Sequence, residues 1–340
     1  MLFCKRPFEN FEVDAAYDVF TCCPTYINKY SIGNLKDFSA VEIWNSEKAQ
    51  KLRENIINGD YSLCNKESCY CYQYREDIFE EEILREYSPV YHKHPKNIWL
   101  YYDEICNARC GMCRNDFHGN NPEEVEKLNK IAEEKFLPLL KDAETIFLNG
   151  GGELFYSEHS KYLVKRINEL YNKVKFEITT NGILCNRKNI FDLHLENKIK
   201  TLWISIHSAT EETYKRIFNV NCFQNVMNNL AEIKQMKDEK FFDNVQLVFV
   251  VSSLNFREMP DFVDIAKKFN MKASFREYVP LLHTEMGQNG EKYTVLSEKK
   301  PMHKELLEVL KDKRLKTSEY CVFNSMIDEL RKKAQKADND

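Results

Sequence analysis

The segment Cys106-Asn-Ala-Arg-Cys110-Gly-Met-Cys113 places three cysteines on one short stretch, in the pattern C-x3-C-x2-C. It follows Asn97-Ile-Trp-Leu-Tyr-Tyr-Asp-Glu-Ile105, a run of aromatic and β-branched residues that predicts a strand. The cysteines therefore lie on a loop at the carboxyl end of a strand, where α/β folds bind ligands. Three thiolates on such a loop can bind three corners of an iron–sulfur cube. Because most clusters take four cysteines, the fourth iron would need an outside ligand. The alternative is a zinc loop with one ligand missing, although zinc sites usually pair two C-x2-C units and no second pair follows.

Three more polar segments follow predicted strands further along the chain. They are Asn149-Gly-Gly-Gly-Glu153, Thr179-Thr-Asn-Gly182 and Ile204-Ser-Ile-His-Ser208. Glycines let the backbone approach a ligand closely, and short hydroxyl and amide side chains suit a ribose or a carboxylate. The first two segments also fit an ordinary turn or a helix cap. His207 fits either a proton donor or acceptor facing a substrate, or a structural histidine at a strand end.

From Pro95 the sequence alternates strands and helices, which predicts a parallel α/β sheet. The predicted strands are Ile98–Ile105, Thr145–Leu148, Lys175–Thr179, Thr201–His207, Val245–Val251 and Lys272–Glu277. The predicted helices are Pro122–Lys141, Ser160–Asn172, Asn189–Glu196, Glu211–Ile217, Phe223–Met236 and Phe256–Phe269. The remainder predicts a polar loop over Leu282–Tyr293, a helix near Lys300–Asp312 and a final helix to about Ala337.

The cysteine spacing resembles that of the radical S-adenosylmethionine (SAM) superfamily. The resemblance implies an α/β fold with a partial (β/α)6 barrel, in which Cys106, Cys110 and Cys113 hold a 4Fe–4S cluster. The open iron of that cluster would bind the amino and carboxylate groups of SAM. The further residues that the resemblance assigns to SAM are Met112 at the adenine, Gly151, Gly152 and Glu153 at the methionyl amino group, and Thr180, Asn181 and Ser205.

The chain departs from the family at two positions. The family usually has an acid where His207 stands, and an arginine where Phe218 stands, with Arg216 close by in this sequence. The carboxylate and ribose contacts are therefore less clearly assigned than the cluster. His207 is the candidate catalytic residue.

Residues 1–94 contain six cysteines: Cys4, Cys22, Cys23, Cys64, Cys69 and Cys71. This part of the sequence predicts a small α+β unit with a hairpin, a turn, a long helix and a charged helix. Their predicted positions are Phe11–Asp14 with Tyr17–Cys23, Ile32–Leu35, Ser39–Asn58 and about Arg75–Tyr87.

This unit resembles a SPASM domain, the auxiliary-cluster unit of many radical SAM enzymes, through Ile32-Gly-Asn-Leu, Glu42-Ile-Trp-Asn and the cysteines that follow. Most members carry the unit after the barrel. Here it comes first, as in a subfamily whose proteins open with Cys-x-Arg-Pro-Phe, matched by Cys4-Lys-Arg-Pro-Phe8. The resemblance implies an auxiliary 4Fe–4S cluster, with ligands drawn from Cys4, one of Cys22 and Cys23, Cys64 and Cys69, and with Cys71 able to replace or supplement one. A four-cysteine zinc site is the alternative.

The composition is that of an ordinary globular protein, with 43% hydrophobic and 30% charged residues and a net charge of −4. No basic block favours nucleic acid, the N-terminus lacks the apolar core of a signal peptide, and no run of about 18 apolar residues predicts a membrane span. Twelve cysteines in such a chain favour a cytoplasmic, metal-binding protein over a disulfide scaffold. The length of 340 residues suggests two or three units, which we place at 1–94, 95–280 and 281–340, the last capping the barrel.

The resemblance implies a radical SAM enzyme. In that family, one electron from the reduced cluster splits SAM into methionine and a 5′-deoxyadenosyl radical, which removes a hydrogen atom from the substrate. An electron donor such as flavodoxin or ferredoxin would supply the electron. A small-molecule or glycan substrate is favoured over a peptide, because no winged-helix peptide-recognition domain is visible. The alternatives are a non-catalytic iron–sulfur electron-transfer protein and a zinc-stabilised binding protein.

Overall fold

The computed structural model describes residues 3–74, 86–148, 151–316 and 319–336. Their contacts divide the chain into two compact units. The first comprises residues 1–105, 120–152 and 157–177, and the second comprises residues 106–119, 153–156 and 178–340. The division at residues 94 and 280 stays a prediction.

The first unit contains a mixed sheet with strands in the order β3-β2-β1-β4-β5. These strands are β1 (Asn10–Val13), β2 (Asp18–Phe20), β3 (Gly33–Asn34), β4 (Asn97–Leu100) and β5 (Thr145–Leu148). The predicted hairpin is confirmed, since β1 and β2 pair antiparallel, while β1 pairs with β4, and β4 with β5, in parallel. The turn predicted at Ile32–Leu35 is wrong: Gly33 and Asn34 form a short strand against β2. That pairing satisfies backbone groups on the outer edge of β2, where Ile32 N donates to Val19 O at 2.8 Å.

The helices of the first unit are α1 (Arg6–Glu9), α2 (Ala40–Trp44), α3 (Glu47–Ile57), α4 (Tyr70–Tyr74), α5 (Pro122–Ile131) and α6 (Glu158–Leu170). The single helix predicted over residues 39–58 is two helices, because Ser46 caps a new one and accepts a hydrogen bond from Ala49 N. The helix predicted over Pro122–Lys141 is α-helical only in α5. A short π-helix (Ala132–Phe136) and a 3-10 helix (Leu137–Asp142) follow it. Pro138, which has no N–H to donate, lies in that last stretch. The helix predicted near residues 75–87 lies almost wholly outside the described residues.

A buried histidine holds α6 against the segment that follows β4. His159 Nδ1 lies 2.7 Å from Asn129 Oδ1, and its Nε2 lies 2.9 Å from the Tyr102 hydroxyl. An amide oxygen can only accept, so Nδ1 carries the proton and Nε2 accepts from the tyrosine. Burial lowers the pKa of His159 to about 4, against the opposing effect of Asp103, so the ring is neutral.

The second unit contains four parallel strands in the order β7-β8-β9-β10. They are β7 (Ile199–Ser205), β8 (Phe242–Val251), β9 (Lys272–Glu277) and β10 (Cys321–Phe323), while β6 (Lys175–Thr180) begins in the first unit and ends in the second. The helices are α7 (Arg187–Asp192), α8 (Glu211–Phe218), α9 (Phe223–Asp238), α10 (Met259–Lys268), α11 (Glu285–Gln288), α12 (Gly290–Tyr293), α13 (His303–Leu310) and α14 (Ser325–Lys336). The predicted loop over residues 282–293 is wrong, since it contains α11 and α12. Strand β10 was not predicted, because three residues are too short to show a periodic pattern.

Parallel strands alternating with helices confirm the predicted α/β class, and in neither unit do the described strands close into a full barrel. The first barrel strand ends at Leu100 rather than Ile105. Beyond it, the Asp103 carboxylate accepts a hydrogen bond from Ile105 N at 3.0 Å, a local bond that replaces strand pairing. Among the helices in the described part of the chain, none combines the length and the apolar character needed to cross a bilayer.

Candidate active site

The three clustered cysteines lie on a loop of the second unit that is closed by its own backbone. Cys113 N and Arg114 N both donate to Cys110 O, at 2.9 and 3.0 Å, which forms a tight turn between the last two cysteines. Cys106 N donates to His118 O at 2.8 Å and closes the wider loop. Cys106 is buried, whereas Cys110 and Cys113 are half-buried. The structure therefore holds all three thiols on one ordered turn, as the spacing predicts.

The C-terminal end of α8 holds this loop in place. The last carbonyl groups of a helix have no partner inside the helix. Here Arg109 N donates to Phe218 O and Gly111 N donates to Ile217 O, both at 3.3 Å. Asn219, in the left-handed conformation that commonly ends a helix, adds a bond from its amide to Arg109 O at 2.7 Å. The backbone between the first two cysteines is fixed by the end of a helix.

Burial disfavours the ionised form of two thiols of the loop, those of Cys106 and Cys110. Burial, with a smaller contribution from Glu153, raises the pKa of Cys106 to about 11. Arg114 Nη2 lies 3.6 Å from Cys113 Sγ. Burial alone would lower the pKa of Arg114, but the Cys113 and Cys106 thiols outweigh it and raise that pKa. Arg114 therefore places a cation directly beside a predicted cluster ligand.

Gly152 lies against the segment that leads into Cys106. A Cβ atom at Gly152 would lie 2.6 Å from Asp103 O and 2.8 Å from Ile105 O, so a side chain does not fit. Asp103 is itself fixed, because its carboxylate accepts hydrogen bonds from the hydroxyls of Ser157 and Ser160 at 2.6 and 2.5 Å. Gly151 is more open, since its nearest neighbour would be Glu104 Cγ at 3.3 Å. Asn149 and the first glycine of the predicted loop lie outside the described residues.

Glu153 is buried and bonds to the end of β6. Oε1 accepts the Thr180 hydroxyl at 2.7 Å and Phe155 N at 3.3 Å, and Oε2 accepts Asn181 N at 2.7 Å. Burial raises the pKa of Glu153, and these three bonds oppose the shift. A carboxylate has about four acceptor positions, so about one is left for a ligand. The contact of Glu153 with the SAM ammonium stays a prediction, while its bonds within the protein show that it positions Thr180 and Asn181.

Asn181 connects this carboxylate to the cysteine loop. Its side-chain amide lies 2.7 Å from Asn107 Oδ1 and 3.9 Å from Cys106 Sγ. Its Oδ1 accepts Ile183 N at 3.0 Å. The structure thus brings together four of the predicted site residues, Cys106, Glu153, Thr180 and Asn181. Met112 is half-buried on the cysteine loop and Ser205 ends β7, and their contacts with SAM stay predictions.

His207 is buried just beyond the end of β7 and bonds to the neighbouring strand. Its Nδ1 accepts Val250 N at 3.1 Å, and its carbonyl accepts the Asn255 amide at 2.8 Å. The proton of the neutral ring is therefore on Nε2. Burial lowers the pKa of His207 to about 4. These contacts favour a structural role for His207 at the strand end, and catalysis by His207 stays a prediction.

A cavity of about 560 Å³ in the second unit adjoins the cysteine loop. Four cationic side chains and one carboxylate are among its lining residues, together with Gly111, Asn219, Met286 and Tyr293. The cationic side chains are Arg109, Arg114, Arg216 and Lys292, and the carboxylate is Glu285. None of these four cations was predicted as a site residue. The sequence does show two of them beside the cysteines, since Arg109 lies between Cys106 and Cys110 and Arg114 directly follows Cys113.

The N-terminal cysteines surround Arg6 in the first unit. Arg6 Nη1 lies 3.9 Å from Cys22 Sγ. Burial would lower the pKa of Arg6, but the thiols of Cys22, Cys71 and Cys4 outweigh it and raise that pKa. Burial raises the pKa of Cys22 to about 12 and is opposed by Arg6. Arg6 was not predicted as a site residue, although it lies in the Cys4–Phe8 segment that carries the resemblance.

The remaining candidates of this group lie close to Cys22. Cys69 and Cys23 both act electrostatically on Cys22, and Cys64 packs against the buried cluster of Phe20, Cys22 and Ile27. Burial raises the pKa of Cys64 to about 11, and Cys69 adds to the shift. The structure therefore gathers the six predicted cysteines in one neighbourhood. Within the residues that the structure describes, no three His, Cys, Asp or Glu side chains converge on a single-ion position.

The fold, the three-cysteine loop and the Cys-rich N-terminal region define an iron–sulfur protein of the SAM-dependent kind. Residues 101–266 match the model of the radical SAM superfamily, and residues 4–72 match that of SPASM, an iron–sulfur cluster-binding domain. The chain belongs to the radical SAM superfamily and carries its SPASM domain first. It is accordingly an enzyme, and its domains are those that bind a 4Fe–4S cluster with SAM and auxiliary iron–sulfur clusters.

Curated relatives match only part of this chain. GTP 3′,8-cyclase of Synechocystis sp. is 29% identical over 127 residues, which cover 37% of this chain and 37% of that protein. GTP 3′,8-cyclase of Clostridium perfringens is 26% identical over 217 residues, covering 62% and 60%. The FeMo cofactor biosynthesis protein NifB of Methanocaldococcus jannaschii is 23% identical over 205 residues, covering 52% and 64%. The match spans less than two thirds of each of these relatives.

Proposed function

We propose that Cys106, Cys110 and Cys113 hold the catalytic 4Fe–4S cluster with one iron open to SAM. We further propose that the enzyme abstracts a hydrogen atom from an anionic small molecule. The observation that carries the proposal is the position of Cys106, whose sulfur lies 3.9 Å from the Asn181 amide. Asn181 is in turn hydrogen-bonded through its backbone to Glu153. Residues far apart in sequence thus meet at the first cysteine of the loop.

The donor set fits an iron–sulfur cluster. Cysteine thiolates are the usual ligands of such clusters, and each thiolate binds a different iron, so the three sulfurs need not converge on one point. The buried thiols of Cys106 and Cys110 lose their protons readily only when a cation is near, and bound iron would supply that charge. When bound, the cluster supplies one electron to the SAM sulfonium.

The protein's own groups would bind SAM and exclude water. Glu153 keeps one acceptor position for the SAM ammonium while it holds Thr180 and Asn181 at the end of β6. A buried carboxylate is the expected partner for an ammonium in a dry site, because charge-assisted hydrogen bonds are the stronger ones. Gly151 would let SAM approach the backbone closely, and Met112 would contact the adenine of SAM. The side-chain position of Gly152 is taken up by Asp103 O and Ile105 O, so Gly152 would shape the loop beside SAM.

The cavity next to the cysteine loop favours an anionic substrate. Its four cationic side chains outnumber its one carboxylate, and Arg109 and Arg114 belong to the cysteine loop itself. Clefts lined by one sign of charge concentrate ligands of the opposite sign. Arginine also binds phosphate and carboxylate groups bidentately. A volume of about 560 Å³ is in the range that holds a nucleotide-sized molecule.

The names of the relatives support the same substrate class. Two are cyclases of GTP, an anionic nucleotide, and a third is named for cofactor biosynthesis. We therefore infer a phosphorylated small-molecule substrate in a step of cofactor biosynthesis, ahead of a neutral glycan or a peptide. An electron carrier such as flavodoxin or ferredoxin is the proposed reductant.

The cysteines around Arg6 are proposed to hold the auxiliary 4Fe–4S cluster, with Cys4, Cys22, Cys64 and Cys69 as ligands. Cys23 and Cys71 are alternative ligands within the same neighbourhood. Arg6 would offset the negative charge of the thiolates. A zinc ion bound by four cysteines is the alternative to the auxiliary cluster. Metal analysis of anaerobically purified protein distinguishes them, because about eight irons per chain fits two clusters and about four irons fits one.

Reductive cleavage of SAM tests the catalytic site. Replacing Cys106, Cys110 and Cys113 together with Ala should abolish the formation of 5′-deoxyadenosine after dithionite reduction of the reconstituted protein. Cys222→Ala is the matched control, because Cys222 is half-buried before α9 and belongs to neither proposed ligand set. Unchanged cleavage by the triple variant would refute the proposal.

The auxiliary site has a separate test. Changing Cys64 and Cys69 to Ala should halve the bound iron and leave reductive SAM cleavage in place, because the catalytic thiols are untouched. Iron and zinc are measured by metal analysis alongside circular dichroism. Unchanged iron would mean that these two cysteines are free thiols or zinc ligands.

A further inference from the structure

Tyr214 has a buried hydroxyl that lacks a hydrogen-bond partner within the described residues. Its side chain is fully buried in α8, the helix whose last carbonyls bond to the cysteine loop. Buried polar groups in folded proteins almost always find a partner, so an exception needs an explanation. One explanation is a ligand that binds beside Tyr214 and accepts a hydrogen bond from its hydroxyl.

Two aromatic contacts hold the ring of Tyr214. It stacks on Phe218 with ring centroids 4.5 Å apart and an interplanar angle of 13°, and it packs at an angle against Phe223 at 5.6 Å. Phe218 stacks in turn on His207 at 5.4 Å. The position of the hydroxyl is therefore set by the packing of its ring, and α8 is capped at Thr210 and Asn219.

Tyr214 lies close to the cysteine loop, because it is one helical turn before Phe218, whose carbonyl oxygen accepts a hydrogen bond from Arg109 N of that loop at 3.3 Å. After burial itself, the thiols of Cys222 and Cys110, the Glu153 carboxylate and the Cys106 thiol raise the pKa of Tyr214 well above its ordinary value. Two of these are proposed cluster ligands. The hydroxyl keeps its proton and can donate it, and Glu153 already accepts three hydrogen bonds elsewhere.

We propose that the Tyr214 hydroxyl donates a hydrogen bond to a sulfur of the cluster held by Cys106, Cys110 and Cys113, and thereby raises the reduction potential of that cluster. This inference rests on the proposed function. Hydrogen bonds to the sulfurs are among the factors that set the potential of an iron–sulfur cluster. The reduced cluster carries one more negative charge than the oxidised one, so a donor stabilises it more. Tyr214 thus makes the cluster easier to reduce.

The test is the substitution Tyr214→Phe, which removes one oxygen and keeps the stacked ring. Tyr278→Phe is the matched control, because Tyr278 is also buried with an unpartnered hydroxyl in the described structure, and its electrostatic neighbour is Tyr293 rather than a cysteine. Both reconstituted variants and the wild type are titrated with reductant under argon. The electron paramagnetic resonance signal that changes when SAM is added identifies the catalytic cluster.

The expected result is a more negative midpoint potential for Tyr214→Phe at full iron content, with Tyr278→Phe indistinguishable from the wild type. Equal potentials for Tyr214→Phe and the wild type would overturn the inference and leave the proposed function intact. A wild type that shows no SAM-responsive signal would overturn both. The readout does not depend on substrate turnover.

Discussion

Gly152→Ala tests how closely the glycine loop must approach the segment that leads into the cysteines. The new Cβ would lie 2.6 Å from Asp103 O and 2.8 Å from Ile105 O. Ordinary contact begins near 3.4 Å, so these backbone oxygens would have to retreat by about 0.8 and 0.6 Å. Asp103 cannot move freely, because its carboxylate accepts two serine hydroxyls. Overpacking of this kind destabilises by about 1–3 kcal/mol.

Gly151→Ala is the matched control. A Cβ at Gly151 meets Glu104 Cγ at 3.3 Å, and that atom belongs to a flexible side chain that can move by a few tenths of an ångström. Where the backbone conformation permits it, replacing Gly with Ala can even stabilise a protein by about 0.4–1 kcal/mol, because it restricts the unfolded chain. The two variants differ by one position and carry the same added methyl group.

The assay is scanning calorimetry of the apoprotein in reductant, followed by iron analysis after reconstitution. We expect the midpoint of unfolding to fall by roughly 2–8 °C in Gly152→Ala and to stay near the wild type in Gly151→Ala. Iron binding should fall in Gly152→Ala as well, because the displaced residues directly precede Cys106. Equal midpoints and equal iron in the two variants would refute the close approach at Gly152.

Three further predictions concern single side chains. Glu153→Gln should weaken SAM binding roughly ten- to a hundredfold, because a charge-assisted hydrogen bond is worth about 1.5–3 kcal/mol. Calorimetry on fully iron-loaded protein checks this, and normal affinity would mean that Glu153 only positions Asn181. His159 should make the apoprotein less stable in acid, because its pKa of about 4 in the folded protein lies below the unfolded value of 6.5. Its contribution to the free energy of unfolding is complete above pH 6.5 and falls by about 3 kcal/mol as the pH drops toward 4. Thermal midpoints from pH 4 to 7 should therefore change less in His159→Asn, and an unchanged slope would contradict the assignment. Arg216→Gln should weaken the binding of inorganic triphosphate about tenfold or more, whereas Lys304→Gln, an exposed lysine outside the cavity, should not; equal affinities would exclude the cavity as the anion site.

Local patterns predicted most of the elements of this chain. The strands Thr145–Leu148 and Lys272–Glu277 were predicted with their observed bounds, because a short apolar run between polar segments depends only on neighbouring residues. The predictions were wrong where a single side chain or a pairing partner determines the local secondary structure. Ser46 begins a new helix inside a continuous helical pattern, and Gly33 pairs with Val19 although its own sequence favours a turn.

The cysteine spacing by itself identified the superfamily and its cofactors, because ligands on one short loop are encoded by adjacent residues. The sequence alone could not show that Asn181 contacts Cys106, that Arg109, Arg216 and Lys292 line one cavity, or that the Tyr214 hydroxyl lacks a partner. These residues are tens to hundreds of positions apart. Their contacts depend on how the strand ends and the carboxyl end of α8 pack around the cysteine loop. The hydrophobic periodicity of a helix or strand determines which face is buried, but it does not determine which other element covers that face.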